Sequence, residues 1–207
     1  MAVRDLLWGC PLCRVPGAIR PLGRRERCRA CGAEFRRGRG ARIAVRAGEL
    51  RHERGAAEWL AELGPVIAPS AGPDGLILGP EPVRVKVTTG QKPLHFGDQL
   101  LGWVETYGRV RPGILTLRTD GLHFQPARGQ AALWRPDDVT GLQPASSSLQ
   151  VGLRDVMASV RFLEGSVRLW TRAVSDLLHS HYRHHGREVV EFQPFIRTAR
   201  ASGTAGS

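Results

Sequence analysis

All four cysteines of the chain lie within its first 31 residues, as two CxxC pairs, Cys10/Cys13 and Cys28/Cys31, with 14 residues between the pairs. Each CxxC turn presents two sulfur atoms from one tight loop, so two facing turns supply the four soft ligands that a tetrahedral zinc ion prefers. A segment of about 35 residues is too short to build a sufficient hydrophobic core unaided, and metal binding would supply the missing folding free energy. The spacing therefore predicts one structural Zn²⁺ bound by all four thiolates.

Other roles for the cysteines fit the sequence less well. Two disulfides would need an oxidising compartment, and Met1–Trp8 lacks the long apolar stretch of a secretory signal. A thioredoxin-like redox motif uses a single CxxC pair, and an iron–sulfur cluster is a further alternative. A catalytic zinc is not expected, because four thiolates leave no open ligand position.

The segments around the two pairs resemble the two knuckles of a zinc ribbon. The resemblance rests on Trp8–Cys13 and Cys28–Phe35 and spans about residues 7 to 36. Gly32 follows the last cysteine, where a knuckle often requires a positive φ, and we expect Trp8 and Phe35 to cover the metal site. Zinc ribbons bind nucleic acid or protein, or only stabilise a fold, so the resemblance alone does not choose among these functions.

The positive charge of the chain is concentrated near its amino terminus. Residues 1–54 contain 14 arginines and 5 acids, a net charge of +9, whereas residues 55–207 contain 16 basic residues and 14 acids, a net charge of +2. Such a segment attracts phosphates of nucleic acid or of anionic lipid. The candidate phosphate-binding residues are Arg24, Arg25, Arg36 and Arg37. The excess of 28 arginines over 2 lysines is also typical of a GC-rich bacterial genome, so a solvated basic linker is an equal alternative.

The pattern of apolar residues changes twice along the chain. Arg37–Ala41 is rich in glycine and arginine and is predicted to be a linker, and Leu50–Leu63 has helical periodicity. Pro69–Pro82 is predicted to be a loop. From Val83 onward, short apolar runs recur with turn residues between them, including Thr119-Asp120-Gly121, which is typical of an antiparallel β domain. The segment Gly165–His185 then has the apolar stripe of an amphipathic helix.

This order of strands followed by a helix resembles the pleckstrin-homology (PH) superfold, and more closely its GRAM-like branch. The resemblance rests on apolar positions in Leu94–Gly102, Gly113–Phe124, Leu133–Leu142 and Val160–Phe162, and on the helix that contains Trp170. It implies an α+β fold class: a small zinc ribbon plus a PH/GRAM-like antiparallel β barrel of about seven strands, capped by a C-terminal α-helix. Another small β barrel with a helix is the alternative.

The predicted organisation has four parts. They are a zinc ribbon at 1–40, a helix and linker at 41–82, a PH/GRAM-like domain at 83–187, and an extended tail at 188–207 with a disordered end. Glu188–Ile196 is expected to lie as an extended segment against the β domain.

Some basic residues of the β domain are candidates for anion or lipid binding. In lipid-binding members of the superfold, basic residues near the first long loop bind phosphoinositide head groups through charge-assisted hydrogen bonds. Arg84, Lys86 and Lys92 flank the corresponding loop in this chain, and Arg109 and Arg111 are further candidates in another turn. The alternative is that Thr89–Phe96 forms an ordinary hairpin loop.

No catalytic motif stands out in the sequence. The chain has no GxSxG, P-loop or GxGxxG motif, and Asp137-Asp138 follows Pro136 in a predicted turn. His181 and His185 have the i, i+4 spacing of a metal pair, but a basic helix carboxyl terminus is the favoured explanation, because cations there suit the helix dipole. We therefore do not expect an enzyme.

The sequence favours a non-catalytic bacterial adaptor that binds a protein partner or an anionic membrane surface. The alternatives are a nucleic-acid-binding protein, which would use the basic amino-terminal segment with Trp8 and Phe35 as stacking residues, and an accessory domain of a lipid-metabolism system, which is suggested by analogy alone. We expect a cytoplasmic protein, with peripheral attachment to the inner face of the membrane if lipid is the partner. No transmembrane segment is predicted.

Overall fold

The computed structural model describes residues 2–186 and contains two antiparallel sheets and three helices within that range. The amino-terminal sheet has five strands in chain order, and the short helix α1 (Val3–Leu6) precedes it. The strands are β1 (Ile19–Leu22), β2 (Arg25–Cys28), β3 (Glu34–Arg37), β4 (Arg42–Ala47) and β5 (Leu50–Gly55). The helix α2 (Ala56–Leu63) follows β5. The predicted tail at 188–207, including Glu188–Ile196, lies outside the described residues.

This first sheet is longer than the sequence predicts. The expected linker Arg37–Ala41 is instead a tight turn between β3 and β4, in which Gly38 donates its N–H to the carbonyl of Arg42 at 2.9 Å. The helix expected from Leu50 begins at Ala56, because Leu50–Gly55 pairs with β4. The Glu58 carboxylate accepts the N–H of Gly55 at 2.7 Å and so satisfies a free donor at the start of α2.

One face of the five-stranded sheet is buried. Phe35, Ile43 and Val45 alternate with exposed residues along β3 and β4, as expected for strands with one solvated face. They pack with Trp59 of α2, whose indole Nε1 donates to the carbonyl of Ile43 at 3.1 Å. The opposite face of the sheet is left to solvent.

The second sheet has eight strands, all paired antiparallel, and confirms the predicted β-rich region. Its order is β10-β9-β8-β6-β13-β12-β11, with β7 paired to one end of β6. The strands are β6 (Leu76–Phe96), β7 (Gln99–Tyr107), β8 (Arg111–Arg118), β9 (Gly121–Pro126), β10 (Ala132–Trp134), β11 (Val139–Pro144), β12 (Ser148–Leu153) and β13 (Met157–Phe162). The segment predicted as a loop up to Pro82 becomes a strand from Leu76 onward, since it pairs with β8.

The fold is α+β, with mostly antiparallel sheets and a carboxyl-terminal helix, but the second sheet is open. In the described part of the chain, its edge strands β10 and β11 do not pair with each other, and the short 3-10 helix Pro136–Asp138 connects them. The predicted closed barrel is therefore not formed. The Tyr182 hydroxyl donates toward the carbonyls of Pro136 and Val139, at 3.2 and 3.3 Å. These hydrogen bonds hold the final helix against the connection between β10 and β11.

The final helix, α3 (Val167–His184), covers the core of the second sheet. The Ser166 hydroxyl accepts the N–H of Leu169 at the start of the helix. Trp170 is 1% exposed and stacks on Phe162, with ring centroids 5.2 Å apart. Trp170 is therefore a core residue. In the described range, no helix is both long and apolar enough to cross a membrane.

The two sheets pack against each other through α3 and several polar contacts. Leu169 of α3 belongs to the core of the amino-terminal module rather than to that of the second sheet. The Ser166 hydroxyl donates to the carbonyl of Leu7 at 3.2 Å. Arg20 of β1 forms an ion pair with Glu81 of β6 at 2.7 Å. The amino-terminal module, residues 2–63, therefore packs directly against α3 and the eight-stranded sheet.

Candidate metal centre

The four predicted cysteines come together in one cluster. Their Sγ atoms all lie within 4.8 Å of one another, with Cys10 and Cys31 3.6 Å apart and Cys13 and Cys28 also 3.6 Å apart. A disulfide would need about 2.05 Å, so the thiols are free. The cluster can hold a metal ion and is consistent with a zinc ribbon.

Two turns of the same design position the thiols. In the first, Arg14 donates its N–H to the carbonyl of Cys10 at 2.7 Å, and in the second, Gly32 donates to the carbonyl of Cys28 at 3.0 Å. Arg14 and Gly32 both have a positive φ, of 59° and 76° respectively. The positive φ that the sequence predicts for Gly32 is confirmed. The matching role of Arg14 was not evident from the sequence, because a non-glycine residue gives no local signal there.

The spacing of the sulfur atoms fits a tetrahedral ion. Bonds of about 2.3 Å to four sulfurs require sulfur–sulfur separations of about 3.8 Å, which lies within the range observed for the four Sγ atoms. The N–H of Cys31 also donates toward the Sγ of Cys28 at 3.4 Å. Such bonds stabilise thiolates, the form in which cysteine binds metal.

The thiols differ in their ease of ionisation. Burial raises the pKa of Cys10 far above its ordinary value, and burial also raises the pKa of Cys13. Burial acts in the same sense on Cys28, but hydrogen bonds from the backbone of Cys31 and Ala30, together with thiol contacts to Cys31 and Cys13, lower its pKa. A divalent cation reverses the cost of burying thiolates, because it deprotonates a coordinating thiol outright. The donor set therefore suits a bound cation.

The aromatic residues beside the cysteines are part of the core. Trp8 is 2% exposed and donates its indole N–H to the carbonyl of Gly64 at 3.3 Å, and Phe35 is 1% exposed. Both share a buried cluster with Cys10 and Cys28. Neither ring is accessible for stacking on a nucleic-acid base, so that part of the nucleic-acid hypothesis is wrong.

The basic residues predicted to bind phosphate do not all lie together. Arg25 and Arg36 line a concavity of about 440 Å³ on the exposed face of the five-stranded sheet. Arg24 lies in the turn between β1 and β2, and Arg37 at the end of β3 donates to the carbonyl of Gly40. The concavity also contains Arg46 and Arg51, which the sequence did not single out, because only strand pairing brings them beside Arg36.

The basic residues predicted to bind lipid are spread over several surfaces. The Nζ atom of Lys86 lies 4.0 Å from the centre of the Tyr107 ring, and the Cζ atom of Arg111 lies 5.8 Å from the centre of the Phe124 ring. Arg84 is exposed in the second sheet, Lys92 is on the hairpin formed by β6 and β7, and Arg109 lies between β7 and β8. This arrangement does not form one compact head-group pocket.

The hairpin of β6 and β7 is an unexpected feature of the second sheet. Only the first part of β6, up to Val87, pairs with β8 and β13, and Thr88–Phe96 pairs with β7. This hairpin, residues 88–107, carries exposed large apolar side chains on both strands: Leu94, Phe96, Leu100, Leu101, Trp103 and Val104. The strand β7 fits the β-rich region predicted after Val83, but the exposure of its apolar residues was not evident from the sequence.

The histidines at the end of α3 contact one another, and His181 also contacts Asp137. The His181 Nε2 lies 3.1 Å from an Oδ1 of Asp137, and the His181 and His185 rings are 4.3 Å apart. His185 Nδ1 lies 2.8 Å from the carbonyl oxygen of His181. The contact between His181 and Asp137 connects the carboxyl-terminal end of α3 to the 3-10 helix before β11.

Comparison of the chain with family models, with curated proteins and with solved structures finds no match.

Proposed function

We propose that the protein is a non-catalytic adaptor that binds a protein partner through the β6–β7 hairpin, on a body stabilised by one structural zinc ion. The observation that carries this proposal is the exposure of the hairpin's largest side chains: Phe96 is 76% exposed and Trp103 is 61% exposed. Aromatic side chains at the centre of an interface supply much of the binding free energy. Contiguous apolar surface of this kind typically marks an interaction site.

The hairpin presents apolar groups on both of its faces. Trp103 lies opposite Pro93, and Leu100 lies opposite His95, on one face. Because successive residues of a strand point to opposite faces, Leu94 and Phe96 lie on the other. A hairpin that is apolar on two faces is suited to insertion into a groove that contacts both of them.

The base of the hairpin is held in place by side-chain contacts. Thr88 accepts the N–H of Met157 through its Oγ1 at 2.8 Å, and Tyr107 donates its hydroxyl to Glu105 at 2.7 Å. Lys86 lies against the Tyr107 ring. The hydrogen bond from the Tyr107 hydroxyl to Glu105 raises the pKa of Tyr107 to about 12. An isolated two-stranded hairpin is marginally stable in water, so these contacts and a bound partner would both help to order it.

The charge of the hairpin favours a protein partner over an anionic membrane. Residues 88–107 contain one cation, Lys92, and two acids, Asp98 and Glu105, a net charge of −1. Asp98 lies at the turn between the two strands. Anionic lipid attracts clusters of lysine and arginine, and a carboxylate at the leading end of the hairpin would oppose insertion.

The assignment of the second sheet to the PH/GRAM-like superfold is part of this proposal. It is supported by two antiparallel meanders, β8-β9-β10 and β11-β12-β13, which flank β6 in the eight-stranded sheet, and by α3 packed on the same sheet. Zinc as the metal is supported by four thiolates in tetrahedral spacing. A structural role follows from the ligand set, which leaves no coordination position for substrate. Reduced thiols suit a cytoplasmic location.

The experiment is photo-crosslinking from the hairpin in the native host. A photoreactive amino acid at Leu100 is expected to yield a discrete crosslinked protein. The double substitution F96S/W103S should abolish that product, because it removes the aromatic anchors from both faces. The matched control is I67S/V110S, which removes two side chains, 64% and 57% exposed, outside the hairpin.

Sedimentation with anionic vesicles separates the alternatives. If the wild-type chain sediments with the vesicles and F96S/W103S does not, the hairpin binds membrane and the protein-partner proposal is wrong. Equal crosslinking by F96S/W103S and by the control would also contradict the proposal, since the product would then not depend on the apolar hairpin.

A further inference from the structure

The exposed face of the five-stranded sheet carries a row of charged side chains across four strands. In the pairing register, Arg27 of β2 lies opposite Glu34 of β3, Glu34 lies opposite Arg46 of β4, and Arg46 lies opposite Arg51 of β5. These residues share one face, because side chains at directly paired positions point the same way. Three arginines and one glutamate therefore form a single ladder.

The next row leaves a hollow beside this ladder. Arg36 of β3 lies opposite Ala44 of β4, which lies opposite Glu53 of β5. The small side chain of Ala44 forms the floor between longer neighbours. The result is the concavity of about 440 Å³, whose walls include Arg25, Arg36, Arg46, Arg51 and His52.

The acids on this face neutralise only some of the arginines. Glu34 forms ion pairs with Arg25 at 3.1 Å and with Arg46 at 3.3 Å, and Glu53 pairs with Arg42 at 3.0 Å. Across residues 2–186, no ion pair involves the exposed Arg36 or Arg51. The face carries six arginines, Arg25, Arg27, Arg36, Arg42, Arg46 and Arg51, against the two glutamates Glu34 and Glu53, so it has four positive charges in excess.

The charge of Arg51 destabilises the five-stranded sheet unless an anion is bound beside it. It lies directly across from Arg46, and like charges in directly opposed positions destabilise a sheet. Glu34 offsets the charge of Arg46, but Arg51 has no such acid. A phosphate between Arg36 and Arg51 would accept hydrogen bonds from guanidinium groups, which bind phosphate with two parallel donors.

We infer that this face, defined by Arg25, Arg36, Arg46 and Arg51 around Ala44, binds the phosphate backbone of double-stranded nucleic acid without reading its sequence. The row from β2 to β5 spans three strand spacings, about 14 Å. Each strand of a DNA duplex carries one phosphate per about 3.4 Å of helix axis. The face is long enough to contact several successive phosphates.

A duplex suits this face better than a single strand. Binding of single-stranded nucleic acid generally combines basic grooves with exposed aromatic rings on which bases stack. The aromatic residues nearest this face, Phe35 and Trp59, are each 1% exposed and belong to the underlying core. The charged side chains of the face are those of arginine and glutamate, so contacts to backbone phosphates dominate.

This inference does not depend on the proposed function of the hairpin. The basic face belongs to the five-stranded sheet, whereas the hairpin belongs to the eight-stranded sheet. A protein that bound both ligands would connect a nucleic acid to a protein partner. Either surface can be removed by substitution without altering the other.

The test measures the affinity of the full-length protein for a short fluorescein-labelled DNA duplex as salt is raised. Wild-type protein is expected to show a logarithm of affinity that falls linearly with the logarithm of salt concentration. The double substitution R36Q/R51Q should reduce that slope by about 1.8, because each lost phosphate contact contributes about 0.9. Both side chains are exposed and outside any ion pair, so the variant is expected to fold normally.

A charge-matched control is R109Q/R128Q, which removes two exposed arginines of the eight-stranded-sheet domain. Its slope should remain that of the wild type. The neutral substitution A44L tests the hollow itself, since it fills the floor and should weaken duplex binding at constant charge. If the control loses as much slope as R36Q/R51Q, binding reflects overall charge and the inference is wrong. Absence of duplex binding at low salt, or binding of anionic vesicles alone, would overturn it as well.

Discussion

Arg20 and Glu81 form an ion pair between the two sheets, with the Arg20 Nη1 2.8 and 2.7 Å from the two carboxylate oxygens of Glu81. The side chain of Glu81 is 3% exposed and that of Arg20 is 22% exposed. Gly165 leaves room for the carboxylate, because a Cβ there would lie 2.6 Å from the Glu81 carboxyl carbon. This pair connects the metal-containing module to the β domain. Neither the Glu81 carboxylate nor the Arg20 guanidinium is well hydrated there.

Replacing Arg20 with methionine is expected to lower the free energy of unfolding by about 3 kcal/mol, because it leaves a buried carboxylate without its partner. Urea denaturation followed by tryptophan fluorescence would measure this loss. The double variant R20M/E81M should recover most of it, since no buried charge then remains. An R20M protein as stable as the wild type would show that water, rather than Arg20, stabilises the Glu81 carboxylate.

The same variant should have a distinctive dependence on pH. Burial raises the pKa of Glu81 even with Arg20 present, and removal of Arg20 raises it further. A carboxyl group with a raised pKa in the folded state destabilises the fold above that pKa and stops doing so when protonated. The deficit of R20M relative to the wild type should therefore shrink as the pH falls toward the ordinary glutamate pKa of about 4.3. Unfolding measured in a pH series checks this, and a deficit independent of pH would contradict it.

Zinc removal is expected to unfold the amino-terminal module and loosen α3. Purified protein should contain about one zinc ion per chain under reducing conditions, and C10S should lose it. Because Leu169 of α3 packs in the same core as Cys10 and Cys28, chelation should also expose the amide groups near Ser166 to hydrogen exchange. Metal analysis and hydrogen-exchange mass spectrometry provide the two measurements. Unchanged exchange after chelation would mean that the metal does not stabilise this core.

Replacing Arg14 with glycine is expected to stabilise the protein by about 0.5 kcal/mol when zinc is bound. Arg14 has a φ of 59°, a conformation that costs an L-residue roughly 1–2 kcal/mol, and glycine removes this strain at some entropic cost. Gly32 occupies the equivalent position of the second turn, so G32A should have the opposite effect. Thermal unfolding of both variants tests the prediction. A loss of stability in R14G would show that the Arg14 side chain makes a net contribution.

Two tryptophans should respond very differently to truncation. Trp170 is 1% exposed and W170A should cost roughly 3–5 kcal/mol of stability. Trp103 on the hairpin is 61% exposed, and W103S should change stability by less than about 0.5 kcal/mol. Chemical denaturation of the two variants gives the comparison. A large loss for W103S would mean that the hairpin packs on the body in solution, which would contradict its proposed role as a free binding surface.

Several features could be predicted because their causes are local. Each CxxC turn brings two thiols together within four residues. A glycine directly after the last cysteine indicates a positive φ, which Gly32 has. Alternation of apolar residues located most strands after Val83, and the stripe through Trp170 located the final helix. The turn at Thr119-Asp120 also joins β8 and β9 as expected.

Other features depended on long-range pairing, for which the sequence carries no local signal. The sequence predicts Leu50–Gly55 as the first part of a helix, because apolar residues at helical spacing follow it, but pairing with β4 makes it a strand. The apolar residues of Gln99–Tyr107 have the composition of a core strand, yet β7 pairs only with the far end of β6 and they remain exposed.

The residues alone established that four thiols converge on one metal-binding cluster and that an antiparallel β region ends in an amphipathic helix, because these depend on spacing over a few residues. Only the tertiary structure reveals three other features: the packing of Leu169 into the first core, the Arg20–Glu81 pair and the ladder from Arg27 to Arg51. Each joins residues distant in sequence, and strand register, which local periodicity does not specify, determines which of them become neighbours.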